Sequence, residues 1–207
     1  MNVVLYGASG NAGQRIYREL VARGHDVMAV VRKPENLVSG IKSKQDDLSN
    51  TDRIVEIVRG ADAVISAYAP PDEDTDQLIE VTRRQIEAVR KAGVPRLIVV
   101  GGAGSLEVAP GLTMLASGQL PDQWVPIATS HSKALQLLES SDVNWTYFSP
   151  SAFFGPGERT GSYRLGTSIM IANENGESRV SMEDYAVALV NELENPVYER
   201  SRFTIGY

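Results

Sequence analysis

Residues 7–13, with the sequence GASGNAG, lie between the short apolar run of residues 2–6 and a stretch with helical spacing. The three glycines form the pattern G-x-x-G-x-x-G. Glycines in this arrangement permit a sharp turn, a close approach of the backbone to a pyrophosphate, and close packing of a helix on a strand. The segment therefore predicts a strand–turn–helix unit that binds the phosphates of a dinucleotide.

Short apolar runs and amphipathic stretches alternate over the first hundred residues, as is typical of βαβ units that build a parallel sheet. The apolar runs predict strands at 2–6, 26–31, 41–45, 61–67 and 96–100, and the stretches between them predict helices at 11–23, 51–59 and 76–92. We therefore expect an α/β fold with a Rossmann-like, doubly wound parallel sheet.

The pattern is less regular in the second half of the chain. Residues 102–126 predict a long loop, and they are followed by a helix at 127–140, a strand at 145–148, a helix at 181–193 that Ser181 caps, and a strand at 202–205. The glycine-rich residues 149–182 are expected to cover the substrate as a small C-terminal lobe. We expect residues 1–207 to form one dinucleotide-binding domain.

Composition excludes several classes of function. The chain of 207 residues has no cysteine and two histidines, so disulfides, thiolate metal sites and cysteine nucleophiles are excluded, and we expect no metal site. The net charge of −6 disfavours nucleic acid as a partner, because phosphate neutralisation needs an excess of Lys and Arg. No apolar run is long enough to span a bilayer. We expect a cytoplasmic monomer or homodimer that acts on a small molecule.

The residues after the second predicted strand indicate which cofactor is used. A fold that prefers NAD normally has an acidic residue there for the ribose, whereas an Arg favours the 2′-phosphate of NADP. This chain has Arg32 and Lys33 and no acid at that place. The sequence therefore favours NADP, with NAD as the weaker possibility and two solvated cations as the alternative interpretation. Ser9 and Asn11 add polar donors near the phosphates.

Three segments of the chain carry a family resemblance: GASGNAG, RLIVVGGAGS from residue 96, and WTYFSPSAFFGPGERTG from residue 145. Together they resemble the atypical short-chain dehydrogenase/reductase group that contains the provisionally named NADH-flavin reductases. That group is similar to NAD(P)H-binding proteins that include biliverdin reductase B. The resemblance covers essentially the whole chain. It implies a Rossmann core, a nicotinamide cofactor and a small C-terminal substrate lobe.

Segments that follow the predicted strands supply the remaining cofactor candidates. By the resemblance, Asp47 and Leu48 are expected at the adenine edge; a solvated turn that caps the helix at Thr51 is the alternative. The cofactor set expected in full is Gly7, Ser9, Gly10, Asn11, Ala12, Gly13, Arg32, Lys33, Asp47, Leu48, Ala67, Tyr68, Ala69, Gly101, Gly102, Pro150 and Ser151.

The usual acid of short-chain dehydrogenases is missing. Most members use a Tyr-x-x-x-Lys pair, in which the lysine lowers the pKa of the tyrosine. Here Lys133 is the candidate lysine, and four residues before it stands Thr129, whose hydroxyl has no accessible pKa. Ordinary alcohol–ketone chemistry is therefore not expected. The resemblance implies hydride transfer to a flavin or quinone instead, with the proton taken from solvent.

Five residues are candidates for the reaction site, each with a plainer alternative. Lys133 would bind the nicotinamide ribose or be a surface lysine. His131 would be a proton donor or a structural residue, and Ser105 would be the family's serine or part of a turn. Phe153 and Phe154 would wall the substrate pocket or belong to the core.

Three functions remain open on the sequence. The leading one is an NADPH-dependent reductase of flavins or quinones. The second is a regulatory protein that senses NADP without turnover, similar to the NmrA-like proteins. The third, a sugar-nucleotide epimerase or dehydratase, is disfavoured by the missing tyrosine and by the short C-terminal lobe.

Overall fold

The structure is a computed structural model that describes residues 1–37 and 40–207. The strands are β1 Asn2–Tyr6, β2 Asp26–Val31, β3 Ser43–Gln45, β4 Ala63–Ser66, β5 Leu97–Val100, β6 Glu107–Ala109, β7 Leu112–Thr113, β8 Trp145–Ser149, β9 Phe153–Gly155, β10 Arg164–Gly166, β11 Arg179–Ser181 and β12 Ser201–Gly206. The α-helices are α1 Asn11–Ala22, α2 Thr51–Val58, α3 Gln77–Ala92, α4 Val125–Glu139 and α5 Met182–Glu194.

Eight strands form one sheet in the order β10-β12-β8-β5-β4-β1-β2-β3. All neighbouring pairs are parallel except β10 with β12. Strand β1 lies between β2 and β4, with Val3 opposite Val27 on one side and Ala63 on the other. The strand order reverses there, which is where such sheets place their ligand crevice. The predicted Rossmann-like α/β fold is confirmed.

Helices cover both faces of this sheet. Ile16 of α1 and Leu189 of α5 belong to the core on one face, and Ile54 of α2 and Leu135 of α4 belong to the core on the other. The strands β1, β2, β4 and β5 are largely apolar on both sides because their side chains alternate between these two layers. Residues at and after the carboxyl ends of β1, β2, β3 and β4 form the edge at which the site lies.

Local signals set the helix ends. The Asn50 side chain accepts the backbone N–H groups of Asp52 and Arg53 and caps α2, so Asp47 does not have that role. The Ser181 hydroxyl accepts the N–H of Asp184 at 2.9 Å, which confirms the predicted cap of α5.

The long loop predicted at 102–126 is wrong in part. It contains the hairpin of β6 and β7 and a short 3-10 turn at Asp122–Trp124, and α4 begins at Val125 rather than at residue 127. The backbone of Glu107 bonds to Ser168 and Met170 at 2.8 and 2.9 Å. Because these partners lie far away in the sequence, no local pattern could indicate the pairing.

Residues 149–182 divide into separate parts. Strand β10 joins the edge of the main sheet, while β9 and β11 pair with each other as a parallel ribbon. Between β9 and β10, the N–H groups of Gly157 and Gly161 each donate to a carboxylate of α5 at 2.8 Å. In the same stretch, the Arg159 guanidinium donates to the Glu19 carboxylate of α1 at 3.0 and 2.9 Å. This part of the segment is therefore fastened to α1 and α5.

Among the described residues, no helix has both the length and the apolar character that a bilayer crossing requires.

Candidate dinucleotide and acceptor site

The three glycines of the phosphate loop have different roles. A Cβ at Gly7 would lie 2.2 Å from the Ala67 carbonyl oxygen, and a Cβ at Gly13 would lie 2.0 Å from the Gly7 carbonyl oxygen. These two glycines are required by packing. A Cβ at Gly10 would meet only the Gly7 carbonyl oxygen, at 3.3 Å, so Gly10 borders open space.

The N-terminus of α1 opens onto that space. Gly10 is the capping residue and supplies no side chain, and the first turn has no acidic residue. The N–H groups at the start of the helix, those of Asn11, Ala12 and Gly13, therefore carry the positive end of the helix dipole toward the loop. This arrangement suits a pyrophosphate.

A cavity of about 160 Å³, here called the phosphate-loop cavity, lies beside the loop. It is lined by Tyr6, Gly7, Ser9, Gly10, Val30, Val31, Arg32, Asp46, Asp47, Leu48, Ala67, Tyr68 and Ala69. The structure thus brings together nine of the expected cofactor residues that follow β1, β2, β3 and β4. Lys33 is exposed and is not part of the lining.

A second guanidinium lies close to Arg32. Arg84 of α3 lines a neighbouring cavity together with Arg32 and Tyr68, and its Nη1 donates to the Leu48 carbonyl oxygen at 3.1 Å. Leu48 has a φ of 64°, a strained conformation for a residue with a branched side chain. Arg84 was missed by the sequence analysis because only the fold brings α3 to this edge.

The two aspartates after β3 differ in environment. Asp46 is buried, accepts a hydrogen bond from the Tyr6 hydroxyl at 3.3 Å, and has its pKa raised by burial. Asp47 is exposed and accepts the N–H of Ser49 at 2.9 Å, and hydrogen bonding from Ser49 lowers the pKa of Asp47. Asp47 is therefore the more exposed of the two carboxylates in the cavity lining.

Near the carboxyl ends of β5 and β8, a histidine and a tyrosine pack against two glycines. A Cβ at Gly101 would lie 2.4 Å from the Tyr147 ring, and one at Gly102 would lie 2.9 Å from Cγ of His131. The Tyr147 hydroxyl oxygen accepts the Gly102 N–H at 3.1 Å and lies 3.0 Å from Nδ1 of His131. Tyr147 was missed because its place in an apolar strand indicated a core residue.

Burial shifts both groups away from titration near neutral pH. It lowers the pKa of His131 from 6.5 to about 4 and raises the pKa of Tyr147 far above its ordinary value. His131 is thus a neutral imidazole and Tyr147 a neutral phenol in the usual pH range.

Lys133, the candidate lysine, and Thr129, four residues before it, both lie on α4. Lys133 is half-exposed, with Nζ 3.9 Å from a carboxylate oxygen of Asp76. The Thr129 hydroxyl donates to the Val125 carbonyl oxygen at 2.8 Å. The Thr129 hydroxyl is therefore engaged by a backbone carbonyl of its own helix and does not supply an acid.

Two serines of the predicted site have their hydroxyls engaged by neighbouring groups. The Ser105 hydroxyl accepts Nη1 of Arg202 at 3.0 Å. The Ser151 hydroxyl is buried and donates to the Ile205 carbonyl oxygen at 2.7 Å, and Pro150 beside it is also buried. These contacts fix the backbone after β5 and β8.

A larger cavity of about 610 Å³, here called the aromatic cavity, lies at the ends of β5 and β8. It is lined by Ala103, Met114, Leu120, Pro121, Trp124, Ala152, Phe153, Glu177, Ser178 and Arg179. Phe153 borders it and is 64% exposed, whereas Phe154 packs on Tyr185 of the core with ring centroids 4.7 Å apart. Phe153 thus lies on the wall of a cavity, whereas Phe154 belongs to the core, which was the alternative interpretation of the sequence.

Comparisons with known proteins agree with this geometry. A family model described as NAD(P)H-binding matches residues 7–196. The uncharacterised protein YwnB of Bacillus subtilis is 36% identical over 214 aligned positions, which cover 99% of this chain and 98% of YwnB.

Two solved structures are similar over the whole chain. One, from Bacteroides thetaiotaomicron, carries the provisional name epimerase; it is 44% identical, has a TM-score of 0.94, and the match covers 100% of this chain and 96% of that one. Another, from Streptococcus pneumoniae, carries the provisional name NADH-flavin reductase; it is 33% identical with a TM-score of 0.91, and the match covers 100% and 99%. The predicted resemblance is confirmed.

Proposed function

Because this chain belongs to the NAD(P)H-binding family, we propose that it is a reductase that uses NADPH to reduce a flat acceptor of the flavin or quinone type. The observation that carries the proposal is the position of the two cavities. The phosphate-loop cavity lies at the ends of β1 and β4, and the aromatic cavity at the ends of β5 and β8. These strands are neighbours in the sheet, so a dinucleotide that extends from the first cavity would reach the second.

The chain supplies groups suited to each part of NADPH. The N-terminus of α1 and the open side of Gly10 suit the pyrophosphate. Arg32 suits the 2′-phosphate, because a guanidinium makes paired, charge-assisted hydrogen bonds to phosphate, and Lys33 adds charge nearby. Lys133 is proposed to reach the nicotinamide ribose, and the backbone at Gly102 would lie beside the ring.

When bound, NADPH would supply a hydride, and the acceptor would take up that hydride together with one proton from water. Among the described residues, the ionisable side chains that contact Gly102 are those of His131 and Tyr147, and both are neutral near neutral pH. Their contribution in this proposal is to position the two reactants and to limit the access of water.

The relatives' names offer two activities. The pneumococcal relative's name, NADH-flavin reductase, supports this proposal. The Bacteroides relative's name, epimerase, fits this chain less well, because sugar-nucleotide epimerases need an acid at the position of Thr129. The same feature is compatible with an NADP sensor that performs no reaction, and this is the second candidate.

The test is the consumption of NADPH by the purified protein with FMN, FAD or menadione as acceptor. We expect consumption that depends on the acceptor and that is faster with NADPH than with NADH. Tight binding of NADPH, measured by calorimetry, without turnover on any acceptor would support the sensor instead. The cytoplasmic location and the monomeric or homodimeric state stay predictions.

A further inference from the structure

The aromatic cavity contains a charged group that the reduction of a flat acceptor does not by itself require. We propose that this cavity selects flat acceptors that carry a phosphate or carboxylate group, and that Arg179 binds that group. The inference deepens the proposed function, on which it rests for the identity of the acceptor as a flat ring system.

Two aromatic side chains approach the cavity from different parts of the fold. Trp124 comes from the segment before α4, and Phe153 comes from the ribbon of β9 and β11. They are 53% and 64% exposed, which is unusual for side chains of this size. Aromatic rings left open to a cavity of about 610 Å³ are suited to stacking on a planar ligand, because stacking removes their apolar faces from water.

Arg179 is placed beside Phe153 by the strand register. The two residues are opposite each other in the parallel pair β9–β11, so their side chains are neighbours on one face of the ribbon. The Arg179 guanidinium carbon lies 6.0 Å from the centre of the Phe153 ring. Within residues 1–37 and 40–207, its guanidinium forms no ion pair with a carboxylate. A planar guanidinium next to an aromatic wall suits an acidic substituent on a stacked ring.

The lining contains a second charged side chain, Glu177, whose charge opposes the effect of Arg179 on an anionic ligand. Its Oε2 accepts Nδ2 of Asn173 at 3.0 Å, so a neighbouring side chain already engages this carboxylate. A negative charge this close disfavours an anionic ligand by simple repulsion. Arg179 and Glu177 should therefore affect an acidic acceptor in opposite directions and a neutral acceptor hardly at all.

FMN and riboflavin provide the test, since they share one ring system and differ by the phosphate. For each acceptor we would measure kcat/KM with saturating NADPH, and the dissociation constant from the quenching of flavin fluorescence. Arg179→Gln should weaken FMN by about three- to tenfold, a modest factor because the side chain is exposed, and should leave riboflavin nearly unchanged. Arg59→Gln, an exposed arginine outside both cavities, is the matched control.

Two further variants separate charge from stacking. Glu177→Gln should strengthen FMN relative to riboflavin, whereas Phe153→Ala should weaken both flavins by a similar factor. An Arg179→Gln variant that retains the wild-type ratio of FMN to riboflavin, or that loses both flavins equally, overturns the inference. The absence of NADPH consumption with every acceptor would refute the proposed reductase, while an FMN preference in binding that depends on Arg179 would still support the anion site.

Discussion

The Tyr147 hydroxyl lies 3.0 Å from Nδ1 of His131, and it joins helix α4 to the ends of β5 and β8. The same oxygen accepts the Gly102 N–H at 3.1 Å and can donate to the His131 carbonyl oxygen at 3.2 Å. Together these contacts hold the imidazole against Gly102. A histidine with one ring nitrogen engaged in this way has a preferred orientation and a restricted choice of tautomer.

Replacement of Tyr147 by Phe tests this relationship. Loss of a neutral hydrogen bond costs about 1 kcal/mol, so we expect the free energy of unfolding to fall by about this amount while kcat and the affinity for NADPH change little. The ¹⁵N resonances of the His131 ring should shift toward a mixture of tautomers. His25 is the only other histidine, so its unchanged resonances serve as an internal control. An unaltered His131 spectrum would refute the positioning role.

The pH dependence of turnover follows from the neutral imidazole. Because the pKa of His131 lies at about 4, its protonation is complete only below the usual assay range. We expect the rate to change little between about pH 6 and 8. His131→Asn should keep most of the activity. A loss of more than about a hundredfold in kcat, with NADPH binding intact, would instead make His131 the proton donor.

The same pKa predicts a direction for stability. The folded pKa of His131 is below its unfolded value of 6.5, so between about pH 6.5 and 4 the unfolded chain binds more protons. His131 therefore lowers the free energy of unfolding as the pH falls through this window. Urea unfolding at about pH 7 and 5 should show a smaller acid loss in His131→Asn than in wild type. His25→Asn is the control, and an equal loss in His131→Asn and wild type would contradict the assignment.

Arg32 should decide the preference for NADPH over NADH. Removal of a charge-assisted contact to the 2′-phosphate costs roughly 1.5 kcal/mol or more, which is at least about a tenfold loss of affinity. We expect Arg32→Ala to lose this factor for NADPH and to bind NADH as before. Lys33→Ala should have a smaller effect, because Lys33 lies outside the cavity lining. Equal affinities of the wild type for both cofactors, measured by titration, would count against NADP preference.

The glycines of the phosphate loop allow binding and folding to be separated. At Gly10 an added side chain would enter the open space before α1, so Gly10→Val should abolish dinucleotide binding and leave the circular dichroism spectrum unchanged. At Gly13 a Cβ would lie 2.0 Å from a carbonyl oxygen, so Gly13→Val should destabilise the fold itself. Normal binding by Gly10→Val would show that the phosphates lie elsewhere.

Sequence patterns predicted the parallel sheet and the phosphate loop because both are encoded locally. The β-branched run before Gly101 and the glycine spacing after Tyr6 each fix a short element without reference to distant residues. Ser181 as the cap of α5 was predictable for the same reason. Boundaries that depend on packing were less accurate, as the start of α4 at Val125 illustrates.

The aromatic cavity could not be predicted from local patterns. Its Phe153 and Arg179 are far apart in the sequence and are neighbours only because β9 pairs with β11 in a particular register. Tyr147 lies within an apolar strand, so its sequence context did not indicate a role in hydrogen bonding at the site. Nothing in the sequence distinguishes Arg84 from other arginines in helices, and only the fold shows that it lies beside Leu48.

The fastening of residues 157–161 to α1 and α5 changes how the glycines of this segment should be understood. Gly157 and Gly161 donate their N–H groups to the carboxylates of Glu183 and Asp184, so they provide close backbone contact rather than freedom of movement. A segment held in this way is a fixed part of the fold and not a lid. Reactants would then enter and leave the aromatic cavity beside the exposed Phe153 without a movement of residues 157–161.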